Sequence, residues 1–146
     1  MNQYCLDKLK EAGREVIRTE NAMRSNKWSW MSCHPPEHLP EGKEYKRVSD
    51  EHRKADMEFW MLTDCEYDTE EPYAACWEWR SAKVMARKCC WYQLKQPVLG
   101  SMKAKNLMRS LHEAEVHLFD VLGLSAEYKS PNQYIEEAFP KLKRHP

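Results

Sequence analysis

Chains that fold as sheets turn on glycine, and this one has almost none. Four glycines occur in 146 residues, and none lies in an Asn-Gly, Asp-Gly or Gly-Gly hairpin dipeptide. Alternating apolar and polar segments are missing too, whereas apolar residues recur every three or four positions over long stretches. The expected fold is all-α, a single-domain multi-helix bundle.

The spacing predicts a first helix over about residues 2–25, with Cys5, Leu9, Ala12 and Val16 in one stripe that Ile17 and Met23 widen. In "NKWSWMSCHPPEHLPEG" the prolines Pro35, Pro36 and Pro40 remove donors and break helix, and Trp28 and Trp30 read as anchors for that segment. A short helix is expected over "KEYKRV". Another starts at a Ser49 or Asp50 cap and runs through "ADMEFWMLTDCEYD", with Ala55, Phe59, Leu62 and Cys65 on one stripe. Met57, Trp60, Met61 and Tyr67 cover its adjoining faces, so it reads as a central helix surrounded by others. A helix over "YAACWEWRSAKVMARKCCWYQL" follows, either continuous or interrupted near Arg80–Ser81. The next, through "MKAKNLMRSLHEAEVHLFDVLGL", has Gly123 as its C-cap. Pro131 opens a last short helix with Tyr134, Ile135 and Phe139 as its apolar face.

Charge is abundant but balanced, with Lys+Arg and Asp+Glu both at 23. Nucleic-acid binding would show as a basic excess, and a membrane patch as a polybasic run, so neither partner is expected. No apolar run approaches the roughly 20 residues of a membrane span. The opening "MNQYCLDKLKEAGREV" has no apolar signal-peptide core. A cytoplasmic protein is the expectation, and its six cysteines are expected to be reduced, buried small hydrophobes.

Sites for chemistry are sparse. "CHPPEH" supplies Cys33, His34 and His38, ligand types that zinc accepts, but no second ligand pair at conventional spacing accompanies them. Glu113 and His117 stand four apart on one helical face, where a solvent-facing pair is expected. Glu51, Asp56 and Glu58 with Glu113, Glu115 and Asp120 are the best carboxylate set for an all-α metal-dependent nucleotide pyrophosphohydrolase, the alternative enzymatic reading. They lack the E-x-x-E and E-x-x-D pairing of such enzymes. No nucleophile elbow and no phosphate-cradling glycine loop occurs, and no cofactor is implied.

Several blocks fall in a recognisable order: "DMEFWMLTDCEY", "SAKVMARKCCWYQLKQPVL", "LFD" and "EYKSPNQYIEEAF". Over residues 28–140 they resemble the regulator of G-protein signalling (RGS) homology domain. "EFW" at Glu58–Trp60 matches the family's central block, Ala82–Lys83 its "A-K", Val98 its loop valine and Phe119–Asp120 its "F-D". Ser130, Tyr134 and Ile135 fall at the last serine, phenylalanine and leucine. The resemblance divides the chain into an N-terminal helix (1–27), an RGS-like helical bundle (28–140) and a tail (141–146). It implies docking on a G-protein alpha subunit through Asp56, Glu58, Leu99, Lys129, Ser130 and Gln133. Such domains hasten GTP hydrolysis by holding the partner's own catalytic groups in place, without a nucleophile. Here Asp56 replaces the family's asparagine, Leu99 its loop asparagine, Lys129 an aspartate and Pro131 a tyrosine. Each lost buried contact costs about 1–3 kcal/mol. The expectation is therefore a non-catalytic scaffold or regulatory domain, with GTPase activation opposed by these substitutions.

Overall fold

A computed structural model describes residues 2–31, 33–95 and 101–128. Among the described residues every regular element is helical, as expected of an all-α chain. The helices are α1 (Gln3–Ser25), α2 (Pro40–Leu62), α3 (Tyr73–Lys95) and α4 (Ser101–Val121), with a 3-10 turn at Lys27–Trp30. They fall into two compact units, residues 2–59 with 126–128 and residues 60–125. Of the described helices, none is long and apolar enough to cross a membrane.

In the first unit α1 begins where the Asn2 side chain accepts a hydrogen bond from the Cys5 amide at 2.8 Å. Its buried face is Leu9, Gly13, Val16, Ile17 and Thr19. Thr19 Oγ1 donates back to the Glu15 or Val16 carbonyl, at 2.9 and 3.1 Å, and lies 3.1 Å from His52 Nδ1. A buried hydroxyl is satisfied in this way. Exposed ion pairs line the surface: Arg47 with Glu44 at 2.5 Å and Glu51 at 2.8 Å, and Arg18 with Glu15 at 2.5 Å. Both arginines hold their hydrogen-bonded glutamates, Glu44 and Glu15, below the ordinary carboxylate pKa. At such exposure these pairs add little stability.

α2 corrects two expectations. It is one helix from Pro40, with no separate "KEYKRV" helix and no start at Ser49 or Asp50. Pro40 occupies the first helical turn, where a missing amide hydrogen costs nothing. Val48, Ala55 and Phe59 then form one continuous buried stripe. Ser49 and Asp50 sit inside it at only a modest propensity cost. The proline-rich entry is tightly folded: the Leu39 amide donates to the Pro36 carbonyl at 3.2 Å. A Cβ on Gly42 would lie 1.9 Å from that same carbonyl oxygen.

The second unit holds the last residues of α2, then α3 and α4, which pack along each other. α3 is the expected helix, and it runs unbroken through Arg80–Ser81. Ala75, Cys76, Trp79 and Ala86 are buried on it, as are Leu118, Phe119, Leu122 and Leu124 at and beyond the end of α4. That end is a Schellman closure: Gly123 takes φ +74°, the Gly123 amide donates to the Asp120 carbonyl at 2.9 Å, and the Leu124 amide to that of Phe119 at 2.7 Å. Gly123 thus fills the expected cap. The Pro131 helix lies outside the described residues.

Candidate docking surface

The end of α2 is held by a side chain twenty positions away. The Trp60 carbonyl is one of the last four of the helix, which have no intrahelical partner. Thr63, buried, donates its hydroxyl to that oxygen at 2.9 Å. The Arg80 guanidinium on α3 donates to the same oxygen and, at 3.2 Å, to Thr63 Oγ1. It also stacks on the Trp60 ring, 4.0 Å from the centroid, with Asp64 3.8 Å from its other nitrogen. Lys83 and Arg87, one and two turns further along α3, stand 5.8 Å from the same ring. Trp60 and Trp79 meet tilted, with centroids 5.6 Å apart.

Beside this cluster runs an open groove of about 470 Å³, lined by Trp60, Cys65, Trp77, Val84 and Met85, with Asp64, Arg80 and Ser81 supplying its polar edge. Its apolar residues are substantially exposed: Trp77 by 48 % and Met85 by 46 %. Tyr67 meets Trp77 edge to face at 5.2 Å and is itself exposed by 61 %. Clusters of this kind, apolar within and charged at the rim, are what interaction surfaces present.

Two thiols belong to this unit. Cys65 lies in the irregular stretch after α2 and is half-buried, whereas Cys76, one turn into α3, is fully buried. Burial pushes the Cys76 thiol up to about 12, with Cys65 and Glu71 adding to the rise and Arg80 opposing it. Burial raises Cys65 as well, with Cys76 opposing the rise. The cysteines therefore correct the sequence expectation in part: Cys5 and Cys33 are exposed and, of those whose side chains are described, only Cys76 is buried.

The central stretch is corrected too. Phe59 is fully buried, but Met57 and Met61 are exposed by 58 % and 67 %, so α2 is not enclosed on all sides. α2 ends at Leu62, and Thr63 takes the buried place expected of Leu62 and Cys65.

The residues expected to bind a partner are only partly placed. Asp56 is half-buried and Glu58 exposed, both on α2. Leu99, Lys129, Ser130 and Gln133 lie outside the described residues. The candidate metal loop leaves Cys33, His34 and His38 exposed, with the His34 ring 5.6 Å from that of Tyr45. Among the described residues no three His, Cys, Asp or Glu side chains form a metal-holding group. His117 pairs with Glu71 at 3.0 Å, through an oxygen other than the one that caps the Ala75 amide. Glu51 is engaged by Arg47, Glu115 accepts from the Trp79 indole at 3.4 Å, and Asp120 from Ser125 at 2.9 Å. Sequence reasoning missed the Arg80–Trp60 cap, because it depends on how α3 meets the end of α2.

No family model, curated protein or solved structure matches this chain.

Proposed function

We propose that the chain is a non-catalytic protein-interaction domain of RGS-like type, and that the groove of the second unit is one of its docking faces. The observation that carries the reading is that groove: two tryptophans, a valine and a methionine line a solvent-open trough beside Arg80. Lys83 and Arg87 extend the positive rim along α3. The complementary partner is an amphipathic helix with apolar anchors and acidic flanks. The RGS resemblance supplies the first partner class to try, a GTP-loaded G-protein alpha subunit.

The test is binding of the full chain to a panel of such subunits, with single-turnover GTP hydrolysis followed on the same mixtures. Binding that Trp77→Ala weakens at least tenfold, about 1.4 kcal/mol, supports docking through the groove. Unchanged hydrolysis in that complex supports a scaffold, whereas tenfold acceleration replaces it with a GTPase activator. Absence of binding to every subunit removes the RGS-type assignment. Binding that Trp77→Ala leaves untouched removes the groove.

A further inference from the structure

We propose that Tyr67 is a phosphorylation site, used by a tyrosine kinase with a basic substrate cleft, and that its phosphate regulates the neighbouring groove. The regulation rests on the docking role proposed above; the modification does not. Of the tyrosines whose side chains are described, Tyr67 alone is exposed outside a helix. Tyr4 is exposed but lies within α1, with the Lys8 ammonium 4.9 Å from its ring, and Tyr45, Tyr73 and Tyr128 are half-buried. A kinase takes its substrate as an extended segment, and residues 64–68 have no regular structure to undo. Backbone hydrogen bonds bracket the segment, from the Asp64 amide to the Met61 carbonyl at 3.3 Å and from the Ala74 amide to the Glu70 carbonyl at 3.1 Å. Asp64, Glu66, Asp68, Glu70 and Glu71 are all exposed around Tyr67, with no lysine or arginine from 64 to 71. A cleft lined with cations is the complement of such a stretch.

The step is phosphoryl transfer from ATP. The kinase's base takes the phenolic proton and passes it to solvent. The bond from Tyr67 Oη to the γ-phosphorus forms as the bond to the bridging oxygen breaks, and ADP leaves. The tyrosine ring lies against Trp77, whose indole it meets edge to face at 5.2 Å and which lines the groove. A charge of about −1.5 to −2 therefore arrives at the groove's edge. The docking role gives the partner acidic flanks that face Arg80, Lys83 and Arg87. The phosphate repels those flanks and competes for the same cations, so phosphorylation releases the partner.

The test uses the full chain, ATP and a tyrosine kinase catalytic domain first shown to label an acidic glutamate–tyrosine copolymer. Sites are mapped at low turnover by digestion and mass spectrometry, and circular dichroism confirms that the chain stays folded. Tyr67 is expected to carry most of the phosphate, and Tyr67→Phe to lose it. No labelling while the copolymer is labelled overturns the site, and so does phosphate spread evenly or gathered on another tyrosine. Binding of the phosphorylated and unmodified chains to the panel of G-protein alpha subunits is then compared. A loss of about tenfold that shrinks as salt is raised supports the regulation, whereas equal affinity overturns it. A chain that binds no subunit in either form removes the docking role and the regulation with it, while the peptide map still decides the phosphorylation site.

Discussion

Replacing Arg80 with alanine tests how the end of α2 and the wall of the groove are held. The substitution removes the donor to the Trp60 carbonyl and to Thr63 Oγ1, and the cation over the Trp60 ring. A hydrogen bond from a charged group contributes about 1.5–3 kcal/mol. The Trp60 carbonyl keeps its bond from Thr63, so the lower end of that range applies. A half-exposed cation–π contact adds about 0.5–1 kcal/mol. The 3.8 Å approach to the exposed Asp64 adds almost nothing. The sum is about 2–2.5 kcal/mol. With a urea m-value of about 2 kcal/mol/M, the midpoint is expected to fall by about 1–1.3 M. Arg80→Lys keeps a point charge but not a planar fork able to serve two acceptors and stack at once, so it should recover no more than half of the loss. The assay is urea unfolding followed by circular dichroism, with tryptophan fluorescence as a second probe. A midpoint for Arg80→Ala within about 0.3 M of wild type, on an unchanged slope, would refute the cap.

Gly42→Ala should destabilise, although glycine to alanine inside a helix ordinarily gains about 1 kcal/mol. Its new Cβ would overlap the Pro36 carbonyl and lie 2.9 Å from Glu37 Cα, backbone atoms that cannot swing aside. A net loss of about 1–2 kcal/mol in urea unfolding is expected, and a gain would show that the entry turn yields. Cys76 makes a prediction in pH. Its folded pKa, about 12, lies above the ordinary 9.0, so the folded state holds its proton while the unfolded chain gives it up. The resulting stability is fully present below pH 9 and drains away as pH climbs toward 12. Serine does not titrate there, so the stability advantage of wild type over Cys76→Ser should shrink between pH 8 and pH 10.5. Urea midpoints at the two pH values measure it, and a constant difference would contradict the buried-thiol account.

The helices were legible where periodicity was strong and both ends carried signals. α1 runs Gln3–Ser25 against an expected 2–25, and Gly123 closes α4 as its position after the apolar stripe implied. The misreading at Ser49–Asp50 has a physical cause. Small polar residues that weaken helix in isolation were given more weight than the buried stripe running past them, and packing decided otherwise. The docking surface was harder to foresee. Trp60, Met61 and Tyr67 are apolar and suggest core by type, yet exposure depends on what faces them, which no local pattern encodes.

The contact between the Pro36 carbonyl and Gly42 is also a constraint on descent. Any relative that keeps this fold-back has room for only a hydrogen at the position of Gly42, whatever else drifts around it. The string from Pro36 to Gly42, "PEHLPEG", is therefore where two diverged copies of this chain should still look alike. An alignment that sets a larger residue against Gly42 has either the wrong register or a chain whose helix is entered differently.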